Sequence, residues 1–470
     1  MIHSTQFKLD FFAPIAVYSK MRSLYNNEIT YLFESANQSE GNYSFICIGA
    51  RERLQYKDEQ TLYTKENQTQ TLEQSPFEFL KEYYKNIDTQ PYKDAVKKLN
   101  VGYVDGFIGY IGYDMVKVFE PKLQESMNSL KDELHTPDLD LILPKMVVVY
   151  SHKNHEITLL STQQEFANEF KNIENILKGN YTYEPMRENI GQDSGSFAHS
   201  KEKFFEMIEQ SRQMIKSGDV FQILMTNRFT RNIKVDPFSF YRILRTKNPS
   251  PYMFLLQYED FNIVGSSPEV MVRLSDGEIL LRPIAGTRKR GATKQRDLEL
   301  EEELLNDPKE LAEHLMLIDL GRNDVGRVAQ VGSVEVKDMM HIERFSHVMH
   351  IVSDVTAQLS VDKDMFDLFM ATFTAGTMTG APKIRAMELI AEFEGLKRGF
   401  YSGSIGYFGF DGNMDSAITI RTAMVKEDKV VLQAGAGIVA DSQDELEYLE
   451  VKNKLRALIA SLEDLDPKES

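Results

Sequence analysis

The sequence predicts an α+β fold of two lobes in which antiparallel β-sheets pack between outer helices. Three observations carry that reading. The chain has 470 residues, more than one hydrophobic core ordinarily organises, so two lobes or more are expected. Its strand-like segments fall in hairpin-like clusters rather than in strict alternation with helices, which favours antiparallel sheets over a doubly wound parallel one. The stretch NYTYEPMRENIGQDSGS, about 180–196, is polar, carries Pro and Gly and has no apolar period, so it reads as the connection between lobes. The expected division is an N-terminal lobe over 10–180, a linker over 181–197 and a C-terminal region over 198–462.

In chain order, YSFICIGA (43–50) reads as a strand, and MVVVY (146–150) with EITLL (156–160) as a hairpin around SHKNH. Residues 162–178 read as a helix ending at Gly179. A second helix is expected after Ser200 as N-cap, because Phe204, Ile208 and Ile215 recur on one face with Met207 and Met214 beside them, and Gly218 supplies its stop. Beyond it FQILMTNRFT, FNIVGSS, EVMVRL, EILLRPI, GSIGYFGF and KVVLQAGAGIV are strand-like. Helical patterns at 296–320, 364–372, 382–393 and 444–461 lie between them.

The bulk numbers exclude several classes. A net charge of −17 opposes non-specific nucleic-acid binding, because a phosphate backbone would be repelled. An anionic ligand then needs a site that is locally positive or loaded with metal. The single cysteine, Cys47, cannot form an internal disulfide, and its apolar neighbours describe a buried strand rather than a nucleophile's setting. The first residues lack a basic head followed by a long apolar run, and no apolar run reaches the ~18 residues of a membrane span. A cytoplasmic protein without membrane or nucleic-acid partners is the expectation.

Four groups of residues bear chemistry. Glu310 and Glu313 in DPKELAEHLMLIDLGRND, and Glu447 and Glu450 in DELEYLEVKNKLRAL, are three apart on predicted helices, so each pair shares a face. Two such faces meeting would suit Mg²⁺; spacing alone favours solvated helix surface, with Glu450 and Lys454 an ordinary helix ion pair. AGTMTGAPK (375–383) and QAGAGIV (433–439) offer glycine backbone whose amides can reach a carboxylate, or simply tight turns. RFSHVMHIVSDV (344–355) brings His347 and His350, either structural or acid–base groups. NPSPYMF (248–254) and YLFESANQSEG (31–41) offer an apolar wall with Glu34 to accept an ammonium and Ser35 to hydrogen-bond.

These blocks together decide more than any one. PIAGTRKRG, DPKELAEHLMLIDLGRND, HVMHIVSDV, TFTAGTMTGAPKIRAMELI, GSIGYFGFDGNMDSAITIRT, QAGAGIVADS and EYLEVKNK follow in one order over 282–454. That series closely resembles the chorismate-binding enzymes, specifically the anthranilate synthase component I members, and the likeness extends over about 10–460. It is looser in the N-terminal lobe, where Asn42 stands at a place often held by Arg.

The resemblance implies a two-lobed chorismate-utilising fold and a carbon–oxygen lyase that turns chorismate and ammonia into anthranilate and pyruvate. It implies an amidotransferase partner subunit (anthranilate synthase component II) that releases ammonia from glutamine, and Mg²⁺ as cofactor. Glu313 and Glu450 look like the metal ligands, with Glu310 and Glu447 acting through water. Glu269 resembles the general acid for the departing C4 hydroxyl, His350 the histidine for pyruvate loss, and Thr377 completes that catalytic set. Thr287, Tyr401, Arg421, Gly435, Ala436, Gly437 and Lys454 match the substrate cradle. Glu34, Ser35, Asn248, Pro251, Tyr252 and Met253 resemble a tryptophan feedback site. Two positions separate relatives. Gln222 stands where isochorismate and salicylate synthases carry a lysine that activates water. Ala285 stands where aminodeoxychorismate synthases carry the attacking lysine of PIKGT. An aminodeoxychorismate synthase component I that lacks this lysine is the alternative.

Overall fold

The computed structural model of the chain describes residues 1–35, 42–345 and 348–467. Residues 36–41 of the YLFESANQSEG segment, and His347, lie outside the described residues.

Every strand pairing between named strands is antiparallel, as the hairpin-like clustering predicts. One run begins at the Thr30–Glu34 strand and continues through Tyr252–Gln257, Asn262–Ser267, Thr422–Lys426 and Lys429–Ile438 to Gln222–Arg231. A second run joins Gly106–Ile111, Ser404–Gly409, Met414–Ile418, Val270–Ser275, Glu278–Leu281 and Val348–Gln358. Two long strands, Tyr43–Lys57 and Leu139–Ser151, pair with each other along most of their length and feed both runs. Residues from either side of the 181–197 stretch therefore share hydrogen-bonded sheet: Met253 lies opposite Glu34, and Tyr407 opposite Ile108.

Two large apolar cores flank these strands. SFICIGA shows why its apolar run is continuous. Cys47 faces one core and Ile46 and Ile48 face the other, so both sides of the strand are covered. Burial pushes the Cys47 thiol well above its ordinary pKa, consistent with a packing role. One core carries the helices Lys201–Ser217, Pro237–Lys247 and Asp444–Glu463 on its outer side, through Phe204, Tyr241, Leu455 and their neighbours. The other packs the helix Met365–Thr372 against strands through Phe366 and Phe369.

The local signals act where the sequence places them. Ser200 accepts a hydrogen bond from Lys203 N–H at the start of Lys201–Ser217, a cap that contributes about 1 kcal/mol, and Gly218 closes the helix at φ +86°. The expected hairpin forms between Leu139–Ser151 and Glu156–Ser161. The pattern over 296–320 is two helices rather than one, Lys294–Leu305 and Pro308–Gly326. Asp307 caps the second through Lys309 and Glu310 N–H with Pro308 at its first position, a start signal inside an otherwise unbroken period. RFSHVMHIVSDV, open between strand and helix, supplies the strand Val348–Gln358.

Candidate active site

The basic loop LRPIAGTRKRG is the strand Ile284–Lys289 with its flanks, and most of its charge is spent internally. Arg288 bonds Glu303, Asp307 and Glu310 at 3.0, 2.7 and 3.1 Å. Arg290 holds Asp297 at 2.7 Å, and Arg282 holds Asp354 at 2.7 Å. These pairs fix the helices Lys294–Leu305 and Pro308–Gly326 against the strand, and so place Glu310 and Glu313. A register irregularity between Ala285 and Arg288 turns the Gly286 carbonyl toward His350. Ala285 is buried opposite Ile351, and Thr287 is exposed with its hydroxyl 3.1 Å from His350 Nδ1.

Glu269 lies just before the strand Val270–Ser275 and is buried. Burial raises its carboxyl to about 7; a hydrogen bond from Thr377 Oγ1 at 3.0 Å and the charges of Arg421 and Lys454 offset this only in part. It therefore keeps a proton near neutrality, as a general acid must.

His350 sits on the strand Val348–Gln358. Burial, with Arg421 and Lys454 adding to it, lowers its pKa to about 4, against a raising effect from the Gly286 carbonyl. The imidazole is neutral at pH 7. With Nδ1–H donating to the Gly286 oxygen at 2.8 Å, Nε2 is left as the basic lone pair.

Arg421 adopts φ +49°, a left-handed conformation that costs a non-glycine residue about 1 kcal/mol or more. Its guanidinium makes no hydrogen bond or ion pair among the described residues, and burial lowers its pKa. A desolvated cation without a protein partner is a receptor for an anion. Tyr401 is buried with its hydroxyl against the Gly435 backbone. Lys454 Nζ donates to the Gly435 carbonyl at 2.8 Å and pairs with Glu450 at 2.7 Å. Gly435 has no room for a side chain, because a Cβ would meet the Met225 carbonyl at 2.8 Å, and a Cβ at Gly437 would press on the movable end of Gln222, Nε2, at 2.6 Å. Ala436 points its methyl into the apolar core, so it offers only backbone to the cleft.

Glu313 and Glu450, one from each acidic pair, lie within electrostatic reach of each other. Glu313 carries a raised pKa, first from burial and then from the charges of Glu310 and Glu450. Glu447 is raised by burial and by Glu450. Among the described residues no three acidic, His or Cys side chains gather closely enough to cage a metal. The donor set still fits Mg²⁺, which takes one or two carboxylates and fills the rest of its shell with water and substrate oxygen. The mutual repulsion within this half-buried all-oxygen group is what a divalent cation would relieve. Glu310 is already tied to Arg288, which suits a part played through water.

Gln222 faces the same cleft. Its Nε2 lies 3.4 Å from Glu313 Oε1, and its Oε1 is buried with no hydrogen-bond partner among the described residues.

The 31–35 and 248–253 segments meet as the pairing of Thr30–Glu34 with Tyr252–Gln257. Glu34 presents no open carboxylate for an ammonium, because Arg245 binds it at 3.0 and 3.1 Å and Tyr241 OH at 2.6 Å. Tyr252 OH is likewise held between Asp415 at 3.0 Å and Arg273 at 2.8 Å. Met253 is buried, and Pro251 and Ser35 are half-buried. Asn248 differs: its Nδ2 is buried without an acceptor among the described residues. Asn42 is exposed, and its backbone carbonyl accepts from His152 N–H.

Sequence reasoning did not find the support beneath Tyr401. Arg398 and Glu394 form a buried pair at 2.7 Å, and Arg398 also donates to the Met378 and Leu224 carbonyls. Asp114, distant in sequence, accepts from Gly399 N–H at 2.7 Å. The i,i+4 spacing of Glu394 and Arg398 is a signal, but Gly395 between them hides it by ending the helix.

Fold and cleft together define a chorismate-binding enzyme, and comparison agrees: the family model described as chorismate binding enzyme matches residues 4–460. Relatives narrow this. The anthranilate synthase component 1 of Aquifex aeolicus is 41% identical over 476 residues, covering 98% of this chain and 94% of the relative. That of Acinetobacter calcoaceticus is 41% identical over 468 residues, covering 96% and 92%. The crystal structure of anthranilate synthase component I from Streptococcus pneumoniae superposes with a TM-score of 0.78 at 33% identity, covering 89% of this chain and 92% of that one. The menaquinone-specific isochorismate synthase from Escherichia coli shares the fold, with a TM-score of 0.72 at 19% identity over 98% and 95% of the two chains. The chain belongs to the chorismate-binding enzyme family and, within it, to the anthranilate synthase component 1 group.

Proposed function

We propose that the chain converts chorismate and ammonia to anthranilate and pyruvate, with ammonia delivered from glutamine by a partner amidotransferase subunit. In this reading it catalyses the first committed step of tryptophan biosynthesis in the cytoplasm, requires Mg²⁺ and is inhibited by tryptophan. The observation that carries the proposal is the pairing of Glu269, its carboxyl raised to about 7, with an Arg421 that has no side-chain partner among the described residues, in a cleft that offers no lysine at Ala285 or Gln222.

Arg421 receives a carboxylate of chorismate through its guanidinium fork, and the Gly435 and Gly437 amides, Thr287 and Lys454 complete the cradle. Glu313 and Glu450 would hold Mg²⁺, with Glu310 and Glu447 acting through water; the metal supplies positive charge that offsets the ring carboxylate. Glu269 gives its proton to the C4 hydroxyl as that group leaves, with Thr377 fixing the carboxyl's orientation. Ammonia bonds to C2 while the ring double bonds shift and the C4–O bond breaks, and the new ammonium loses one proton, which restores the Glu269 acid. Gln222 cannot deprotonate water, so the site does not generate hydroxide as a competing nucleophile, and the Ala285 methyl cannot form the covalent adduct an amine would. The neutral His350 then takes the C2 proton through Nε2 as the C3–O bond breaks and the ring becomes aromatic, and the released enolpyruvate takes up a proton on its methylene carbon to become pyruvate.

The test is direct. The chain alone, with chorismate, Mg²⁺ and an ammonium salt, is expected to develop anthranilate fluorescence that tryptophan suppresses. Formation of a 4-amino product instead would establish the aminodeoxychorismate synthase alternative. Glutamine is expected to replace ammonium only after the amidotransferase subunit is added.

A further inference from the structure

The segment Ser266-Ser267-Pro268-Glu269 joins two regions that have so far been described separately. Ser266 and Ser267 end the strand Asn262–Ser267, which lies between Tyr252–Gln257 on one side and Thr422–Lys426 on the other. Both side chains are fully buried. Ser266 Oγ donates to the Asn248 carbonyl, while its backbone N–H donates to the Arg421 carbonyl at 3.1 Å. One residue thus touches the NPSPYM turn with its side chain and the substrate-binding arginine with its backbone. Ser267 lies opposite Tyr252, and its Oγ accepts from Glu269 N–H at 3.3 Å.

We infer that Ser266 is the positioning residue through which a ligand on the NPSPYM turn acts on Arg421; the inference rests on the tryptophan-feedback reading above. Asn248 is the input. Its buried Nδ2 lacks an acceptor among the described residues, and an amino-acid carboxylate would supply one. A ligand that draws Asn248 toward itself moves the carbonyl that holds Ser266. Arg421 is a sensitive output for two reasons. Its backbone is in a left-handed conformation held by the Ser266 N–H, and its guanidinium has no protein partner among the described residues. The fork's direction is therefore set from the backbone, and a small displacement there re-aims the group that receives the substrate carboxylate. Inhibition then needs only that the two ligands prefer different settings of this one bond chain.

The test uses the full chain with Mg²⁺ and no ammonia, so that chorismate binds without being aminated. The quantity read is the tryptophan dissociation constant with saturating chorismate divided by that without it. In the unmodified chain this ratio is expected to be about tenfold or more. Ser266→Ala keeps the N–H to Arg421 and removes the hydroxyl on Asn248, and is expected to bring the ratio to about twofold or less, with tryptophan binding in the absence of chorismate changed less than about threefold. Ser266→Thr, which keeps a hydroxyl, is expected to restore the ratio. A ratio unchanged in Ser266→Ala overturns the assignment and leaves the feedback site standing. Loss of tryptophan binding in Ser266→Ala with a normal melting temperature overturns it too, by placing the hydroxyl in the ligand pocket. An unmodified chain that makes anthranilate but binds no tryptophan overturns both this coupling and the feedback reading, and leaves the catalytic reading intact.

Discussion

The substrate cleft and the NPSPYM turn are built from similar residue types with opposite bookkeeping. In the turn, charges meet charges: Glu34 is closed by Arg245 and Tyr241, and Tyr252 by Arg273 and Asp415. In the cleft, charges and polar groups are left with work to do. Arg421 has no side-chain partner among the described residues, burial lifts the Glu269 carboxyl to about 7 and drops the His350 imidazole to about 4, and Glu313 is raised by burial and by the charges of Glu310 and Glu450. The difference teaches that an unsatisfied buried group, more than a charged one, marks where a ligand is due. By the same rule the Asn248 amide, buried without an acceptor among the described residues, marks the turn.

Variants break this contrast in order of expected effect. Glu450→Gln removes a charge from the glutamate group and is expected to reduce Mg²⁺-dependent turnover by about 100-fold or more, with folding retained. Circular dichroism together with a Mg²⁺ titration of the rate reads this, and retained activity would remove Glu450 from the metal shell.

Glu269→Gln cannot deliver a proton and is expected to lower kcat by about 10² to 10⁴-fold. The acid is active when protonated, so below its pKa of about 7 the unmodified chain should hold its rate in this limb, and above it the rate should fall tenfold per pH unit. A profile flat from pH 6 to 9, as approximate bounds, would reassign the proton donor. His350→Met should leave amination running while pyruvate loss stalls, so that an aminated, non-aromatic intermediate builds up; a normal anthranilate yield would remove His350 from that step.

Arg245→Ala tests the satisfied side. It strands the buried Glu34 carboxylate with only Tyr241, and is expected to destabilise the fold by about 3 kcal/mol while changing chorismate KM little. A thermal melt beside a steady-state assay separates the two effects. A shift in KM without a shift in melting would mean the turn is not the rigid frame its ion pairs imply.

Much of this was legible in the sequence because it depends on spacing within one element. Glu310 with Glu313, and Glu447 with Glu450, share faces by helical period, and Ser200 and Gly218 bracket a helix by cap chemistry. The break at Asp307 was equally local but hidden in an apolar period that runs through it. The order of motif blocks identifies the family, because only a common fold keeps so many short signals in one series.

Tertiary structure decided which of these groups are finished and which are open. Nothing in LRPIAGTRKRG says that Arg288 is consumed by Glu303, Asp307 and Glu310, or that the less conspicuous Arg421 has no side-chain partner among the described residues. Nothing in LFES says that Glu34 belongs to Arg245, 211 residues away. Whether a charge is satisfied, and where its pKa lies, depends on burial and on partners brought from distant parts of the chain. The sequence by itself set the residue types, their periods and the absence of a lysine at Ala285 and Gln222. The fold alone turned those residues into a closed frame around Glu34 and a cleft in which Arg421 has no side-chain partner among the described residues, because desolvation and hydrogen bonding act through space rather than along the chain.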